Sequence, residues 1–255
     1  MGARYHFASV DSTSTRADEL TRAGERPPFW VTADRQLGGR GRLGRRWVSE
    51  VGNLYASHAL VARKPVATLP QLSIVLGLAA ARAIEEAAGA RVRLKWPNDL
   101  MLDGHKIGGL LLDLRNVGET VVIAGFGINC AHHPRDVRYP ASDLASLGHP
   151  VEPVGLFEAL RPSVATALEE WHSNGFCAFR TQWLARAHGM GDRIGIATGD
   201  ERIEGTVEGM DEEGRLVLRE GSARRVVSAG DWLPPDAGGP HAASGCLTSG
   251  GQGLE

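Results

Sequence analysis

The chain lacks most of the features that mark a specialised class of protein. It has three cysteines, Cys130, Cys177 and Cys246, an odd number with no CxxC or CxxH spacing. Neither a disulfide framework nor a zinc module is expected, and a reducing, cytoplasmic setting fits best. Long apolar runs are missing too: the longest, Ile74 to Ala81, falls far short of the ~20 residues that span a bilayer. The N-terminus has no apolar export segment, and His6 stands where a myristoylation signal needs Ser or Thr. Charge of one sign is not in excess, since 28 Lys+Arg against 30 Asp+Glu leave a formal net charge of -2. That excludes the broad basic field of non-specific nucleic-acid binders. No internal repeat occurs, and the GxG of Gly125-Phe126-Gly127 lacks the further glycine and helix of a dinucleotide fingerprint. Adjacent His132 and His133 have no third ligand in pattern and read as loop residues rather than as a metal site.

What is present is an ordinary globular composition, 42% hydrophobic over 255 residues, enough for one large domain or a large and a small one. Its most distinctive stretch runs from Gly38 to Trp47 and packs four glycines and four arginines into ten residues. Glycine lets backbone N–H groups approach an anion closely, and arginine adds planar bidentate donors. The loop alone admits two readings, an anion cradle or a basic surface turn.

In chain order, Tyr5 to Val10 reads as a strand leading to the hydroxyl cluster Ser12-Thr13-Ser14-Thr15 and a helix over 16–23. Those hydroxyls serve either as helix caps or as ligand contacts. Phe29 to Ala33 is a buried strand that delivers Gln36 to the arginine loop, and Asn53 to Ala62 is another strand. A helix spans Leu69 to Ala88, with Pro70 in its first turn and Gly89 as its stop. Val92 to Trp96 alternates as a strand, and Pro97 enforces a bend at Asn98 and Asp99. A hairpin over 100–114 follows, with a strand over 120–129. Gly108 and Gly109 inside a strand predict either a bulge or a backbone or ligand passing close by. Residues 131–150 read as a long surface connection, 153–171 as a helix kinked or broken near Pro162, and 176–188 as a further helix. After Gly189 the texture changes to four or five short strands, a small barrel, and the Gly-rich residues 236–255 are expected to be disordered.

Three stretches together resemble the biotin protein ligase family: Asp11-Ser12-Thr13-Ser14, Gln36 with Gly39-Arg40-Gly41-Arg42-Leu43-Gly44-Arg45-Arg46-Trp47, and Lys95-Trp96-Pro97-Asn98-Asp99. Lys106-Ile107-Gly108-Gly109 and Gly125-Phe126-Gly127-Ile128-Asn129 complete the set, in the correct order over residues 5 to 233. The resemblance implies an α+β fold: a class II synthetase-like mixed sheet flanked by helices over residues 1–188, then an SH3-like barrel over 189–235. It implies that biotin and ATP give biotinyl-5'-AMP, and that biotin then passes to one lysine of a biotin carboxyl carrier protein or domain. Magnesium would enter with the ATP phosphates, and no metal site on the protein itself is expected.

The resemblance also distributes roles. Lys106 and Arg42 would hold the biotin carboxyl and the adenylate phosphate, with Lys95 as a further cation and Asp99 orienting or deprotonating the acceptor lysine. Ser12, Thr13, Ser14 and Gln36 would surround the biotin ring, with Gly39, Arg40, Gly41 and Gly109 shaping the pocket. Trp47, Asn98 and Asn129 would meet the nucleotide, while Arg45 and Arg46 receive no role. Three positions depart from the family's usual pattern: Ser14 replaces Asn, Gly108 replaces Ala, and Phe126 replaces a small or aliphatic residue. With only about ten residues before the Ser-Thr motif, a winged-helix domain and DNA binding are not expected. A homodimer is left open, and the loop's glycines predict that it is mobile when empty and closes over biotin. A lipoate ligase or octanoyltransferase on a related fold is the nearest rival, and a nucleic-acid or protein-binding module is the rival from another class.

Overall fold

A computed structural model of the chain describes residues 2–233 except 136, 138 and 200, so the segment expected to be disordered, 236–255, lies outside the described residues. The sequence alternations become two sheets. The first comprises β1 (Ala3–Val10), β2 (Phe29–Gln36), β3 (Leu54–Val61), β4 (Arg93–Lys95), β5 (Asp99–Leu102), β6 (His105–Asn116) and β7 (Thr120–Ile128), ordered β1-β2-β3-β7-β6-β5-β4. Only the β1–β2 pair is parallel, so the sheet is mixed.

Helices cover both faces because successive strand residues point to opposite sides. On one face, Trp30, Leu54, Ala56 and Leu60 pack with α2 (Leu69–Ala88) and α3 (Pro153–Asn174). On the other, α1 (Thr13–Arg22) sets Ala17 against Phe29, Val31 and Ala59. A short α4 (Cys177–Arg186) leads to the second, antiparallel sheet of β8 (Arg193–Thr198), β9 (Glu201–Met210), β10 (Leu216–Glu220), β11 (Ala223–Val227) and β12 (Asp231–Trp232), ordered β11-β10-β9-β8-β12. Trp96 Nε1 donates to Gly214 O (3.1 Å) and Arg180 Nε to Met210 O (2.6 Å), tying the second sheet to the first unit.

Several local expectations change. α3 runs unbroken through Pro162, because Leu156, Phe157 and Leu160 before it and Val164, Ala167 and Trp171 after it are all buried in one core. That burial outweighs the ~3 kcal/mol cost of an interior proline. α1 begins at Thr13, three residues earlier than its pattern, since Ser12 accepts from Thr15 N and caps it. The connection over 131–150 is not wholly superficial: Ser142, Asp143 and Leu144 are buried. Leu144 N donates to Asn129 O and Ser142 N to Lys106 O, so this segment is pinned to the sheet beside the strand ends.

Candidate active site

The strand ends, the N-terminus of α1 and the arginine loop enclose a cavity of about 310 Å³. One end of it is neutral and internally bonded. Because α1 starts at Thr13, its free N–H groups point toward the loop, and Gln36 at the end of β2 answers them: Thr13 N donates to Gln36 Oε1 (2.8 Å), as does Thr13 Oγ1 (3.1 Å). Ser57 Oγ donates to Thr13 Oγ1 (2.8 Å) and lies 3.0 Å from Ser14 Oγ. On the other side of the amide, Gln36 Nε2 donates to Ser49 Oγ (2.9 Å), whose hydroxyl donates to Trp47 O (3.0 Å). The hydroxyl cluster is therefore both a cap and a cavity wall.

The opposite end is ionic. Lys106 Nζ pairs with Asp99 across the β5–β6 ladder, and Arg42 Nη1 reaches Asn98 Oδ1 (3.5 Å) and Gly230 O (3.1 Å). Asp231 lies 3.5 Å from Arg42 and 3.0 Å from Arg45 Nη2. The second sheet thus supplies the carboxylate that pairs with Arg42 and Arg45 of the arginine loop. The loop turns through Leu43 at φ 56° and Gly44 at φ 70°, the left-handed region where glycine is unstrained. It closes on itself by Gly41 N to Arg45 O (2.7 Å) and Trp47 N to Gly39 O (2.9 Å), and Arg40 Nη2 donates to Thr15 Oγ1 (3.2 Å).

Glycines on the central strands make the space. A Cβ on Gly127 would come within 2.7 Å of the Trp47 indole, so the ring lies flat on bare backbone. Its Nε1 is buried without a hydrogen-bond partner among the described residues, and Lys106 Nζ sits 5.6 Å from the ring. Gly108 serves both expectations for its strand: a Cβ there would meet Gly127 O at 2.8 Å, and the β5–β6 register shifts between Leu100 and Met101, opposite it. Asn129 at the end of β7 donates from Nδ2 to Ser142 O (3.0 Å), and its Oδ1 accepts no hydrogen bond among the described residues.

Of the residues singled out in the sequence, Ser12, Thr13, Ser14, Gln36, Arg40, Gly41, Arg42, Trp47, Asn98, Asp99, Lys106, Gly109 and Asn129 all line this cavity. Gly39 and Lys95 do not. Gly39 lies behind the wall, where a Cβ would strike Ser49 Oγ and Trp47 O, both at 2.7 Å. Lys95 stands behind the lining at the ionic end: its Nζ sits 4.2 Å from the ring of Tyr139, which does line the cavity, and 4.9 Å from the Trp232 ring. Burial there pushes its pKa down, with Asp99 pulling the other way.

Sequence reasoning missed the far wall, Pro134, Val137, Tyr139 and Ala141. Tyr139 is the single aromatic residue of the 131–150 connection, and that was its only signal. Phe126, which departs from the family's usual residue, lines the cavity but is 3% exposed, its ring 5.8 Å from Trp30. Among the described residues, no group of three or more His, Cys, Asp or Glu is placed to hold a metal, and no helix is long and apolar enough to cross a membrane.

Comparison with known proteins identifies the family. Residues 6–129 match the biotin/lipoate A/B protein ligase family and residues 190–231 the biotin protein ligase C-terminal domain. The chain is 36% identical over 235 residues to a biotin--[acetyl-CoA-carboxylase] ligase of Paracoccus denitrificans, covering 88% of this chain and 98% of that one. It is 30% identical to a bifunctional ligase/repressor of Bacillus subtilis, covering 89% of this chain and 72% of that one. The solved biotin protein ligase of Aquifex aeolicus in complex with biotin and ATP superposes with a TM-score of 0.81 at 27% identity, covering 91% and 98% of the two chains. With its paired neutral and cationic cavity walls and its small C-terminal sheet, the chain belongs to the biotin protein ligase family.

Proposed function

We propose that this protein activates biotin with ATP and transfers the biotinyl group to one lysine of a biotin carboxyl carrier protein or domain. The observation that carries the reading is the junction, in one cavity, of a neutral hydrogen-bonding end with an end built from Lys106, Asp99 and Arg42. A urea ring needs donors and acceptors in a fixed pattern, and Thr13, Ser14 and Gln36 supply both. A carboxylate attacking an α-phosphate needs cations between two mutually repelling anions, and Arg42 and Lys106 are those cations.

In the first step a biotin carboxylate oxygen attacks the α-phosphorus, and the bond to pyrophosphate breaks. In the second, the carrier lysine's amine attacks the acyl carbon, AMP leaves, and Asp99 accepts the amine's proton. Trp47 offers its indole to the adenine. Mg2+ bound to the ATP phosphates would offset their charge, and Asn129 Oδ1, which accepts no hydrogen bond among the described residues, would be available to it. We assign residues 1–188 to catalysis and 189–235 to a C-terminal domain whose Asp231 restrains the arginine loop. The near-neutral net charge of -2 favours a protein carrier over nucleic acid as partner, and the cysteine pattern favours the cytoplasm.

Incubation with biotin, ATP, Mg2+ and a carrier domain, read by intact mass, is expected to add one biotinyl group to the carrier only when ATP is present. Transfer of lipoate but not biotin would reassign the substrate.

A further inference from the structure

Ser57 and His58 adjoin in β3 and face opposite sides of the sheet. Ser57 joins the hydroxyl cluster of the active-site cavity, whereas His58 enters a second cavity, about 280 Å³, between the sheet and α3. Its apolar floor is Trp30, Leu60, Val164 and Leu168. Arg161, Val164, Ala165, Leu168 and His172 line it from one face of α3 at helical spacing.

The polar groups of this cavity are unbalanced. His58 is 6% exposed, stacks on Trp30 (4.3 Å between ring centroids) and has Nδ1 3.1 Å from Phe29 O. A carbonyl only accepts, so Nδ1 carries the proton, and burial pushes the pKa down to about 4. The neutral ring leaves Nε2 as an acceptor without a partner among the described residues. Arg161 Nε and His172 Nε2 are buried with no hydrogen-bond partner among the described residues. The terminal nitrogens of Arg161 reach only Gly2 O at 3.4 Å and Glu158 at 3.6 Å, and Arg63 on the rim has no ion pair among the described residues. The one carboxylate of the lining, Glu169, accepts from Ser173 Oγ (3.3 Å). Buried polar groups left unanswered cost ~1–3 kcal/mol each, and a positive excess over an apolar floor is complementary to one kind of ligand.

We propose that this cavity is a second small-molecule site, which takes an apolar monocarboxylate on Arg161 and Arg63 with its body over Trp30, Leu60 and Leu168. The volume admits about a dozen non-hydrogen atoms, and a hydroxyl or N–H on that body donates to His58 Nε2. The site is separate from the biotin cavity and does not depend on the ligase reading.

The test is titration calorimetry of the full chain with 4-hydroxyphenylacetate, with phenylacetate as the ligand lacking the donor. The expected result is saturable binding that weakens by about 10-fold in Arg161→Gln. It also weakens by about 3-fold in His58→Phe and with phenylacetate, and is unchanged in Lys106→Ala. Far-UV circular dichroism and a cooperative thermal melt check that each variant is folded. If Arg161→Gln does not fold, Leu168→Trp, which fills the cavity from α3, must abolish binding. Binding lost in Lys106→Ala but kept in Arg161→Gln, or absent at about 10 mM probe, overturns the proposal.

Discussion

At the neutral end of the active-site cavity the protein's own groups already satisfy one another, while at the ionic end Lys106, Arg42 and Arg45 are held by carboxylates or carbonyls that a phosphate would displace. The neutral chain runs from the Ser57 hydroxyl to Thr13, to Gln36, and through Ser49 to the Trp47 carbonyl, every bond between 2.8 and 3.1 Å. At the ionic end, Arg42 makes two longer contacts of 3.5 Å and one of 3.1 Å. The difference separates two tasks. A preformed hydrogen-bond network selects a rigid neutral ring with little reorganisation. Arg42, held by long contacts, can exchange partners as charge develops in the transition state, while Lys106 is closely paired with Asp99.

The largest effect is expected at the ionic end. Lys106→Ala removes a cation and leaves Asp99 unpaired, and single-turnover pyrophosphate release should fall by roughly 100- to 1000-fold. Biotin affinity, measured by calorimetry, should change far less. A rate near that of the unmodified protein would dissolve the distinction between the two ends.

Gln36→Ala tests the other end and should give the inverse pattern. It strips the partner from Thr13 N–H and cuts the link to Ser49, so biotin binding should weaken by about 10-fold, the equivalent of ~1–2 kcal/mol. The single-turnover rate at saturating biotin should hold within about 3-fold. A rate loss with unchanged affinity would place Gln36 with the reacting groups.

How much of this was legible follows from where each residue's constraint lies. α2 was readable because Pro70 at its start, Gly89 at φ 66° after its end and the buried apolar spacing between them are all local. The cavity's two ends were readable as short motifs, since Ser12, Gln36, Arg42, Asp99 and Lys106 stand at the ends or turns of their own elements. What joins them is non-local. Tyr139 reaches the cavity only because Lys106 N bonds Pro140 O and Ser142 N bonds Lys106 O. Asp231 reaches Arg42 only because the second sheet folds back over the loop. Lys95 read as a further cation of the site, and the rings that bury it come from residues 139 and 232, far from it in sequence. Pro162 predicted a kink or a break, and packing on both sides of it carries the helix through without a break.

Lys95 sharpens the comparison as a buried cation packed on the Tyr139 and Trp232 rings behind the ionic end. Lys95→Met keeps the volume and removes a buried charge, so stability at pH 7 should rise by about 1 kcal/mol in urea denaturation. The sign with pH is fixed. Because burial lowers its pKa in the folded protein, the unfolded chain binds the proton more tightly between that lowered value and 10.5. The contribution of Lys95 to stability therefore rises with pH through that window, and the variant's advantage should shrink toward pH 10.5. A rate loss as large as that of Lys106→Ala would instead move Lys95 to the ionic end.

The smallest effect concerns what holds the arginine loop before phosphate arrives. Asp231 is shared by Arg42 and Arg45 at 3.5 and 3.0 Å, and partly exposed pairs of this kind contribute about 0–1 kcal/mol. Asp231→Asn should leave global stability within that range while loosening the loop, seen as faster tryptic cleavage between Arg40 and Arg46. Because Arg42 then has one competitor fewer, the KM for ATP should fall by about 3-fold with kcat little changed. Biotin plus ATP should restore protease resistance in the variant, since phosphate takes the place of the missing carboxylate. If ATP affinity drops instead, Asp231 orients Arg42 for phosphate rather than competing with it, and the ionic end is as preformed as the neutral one.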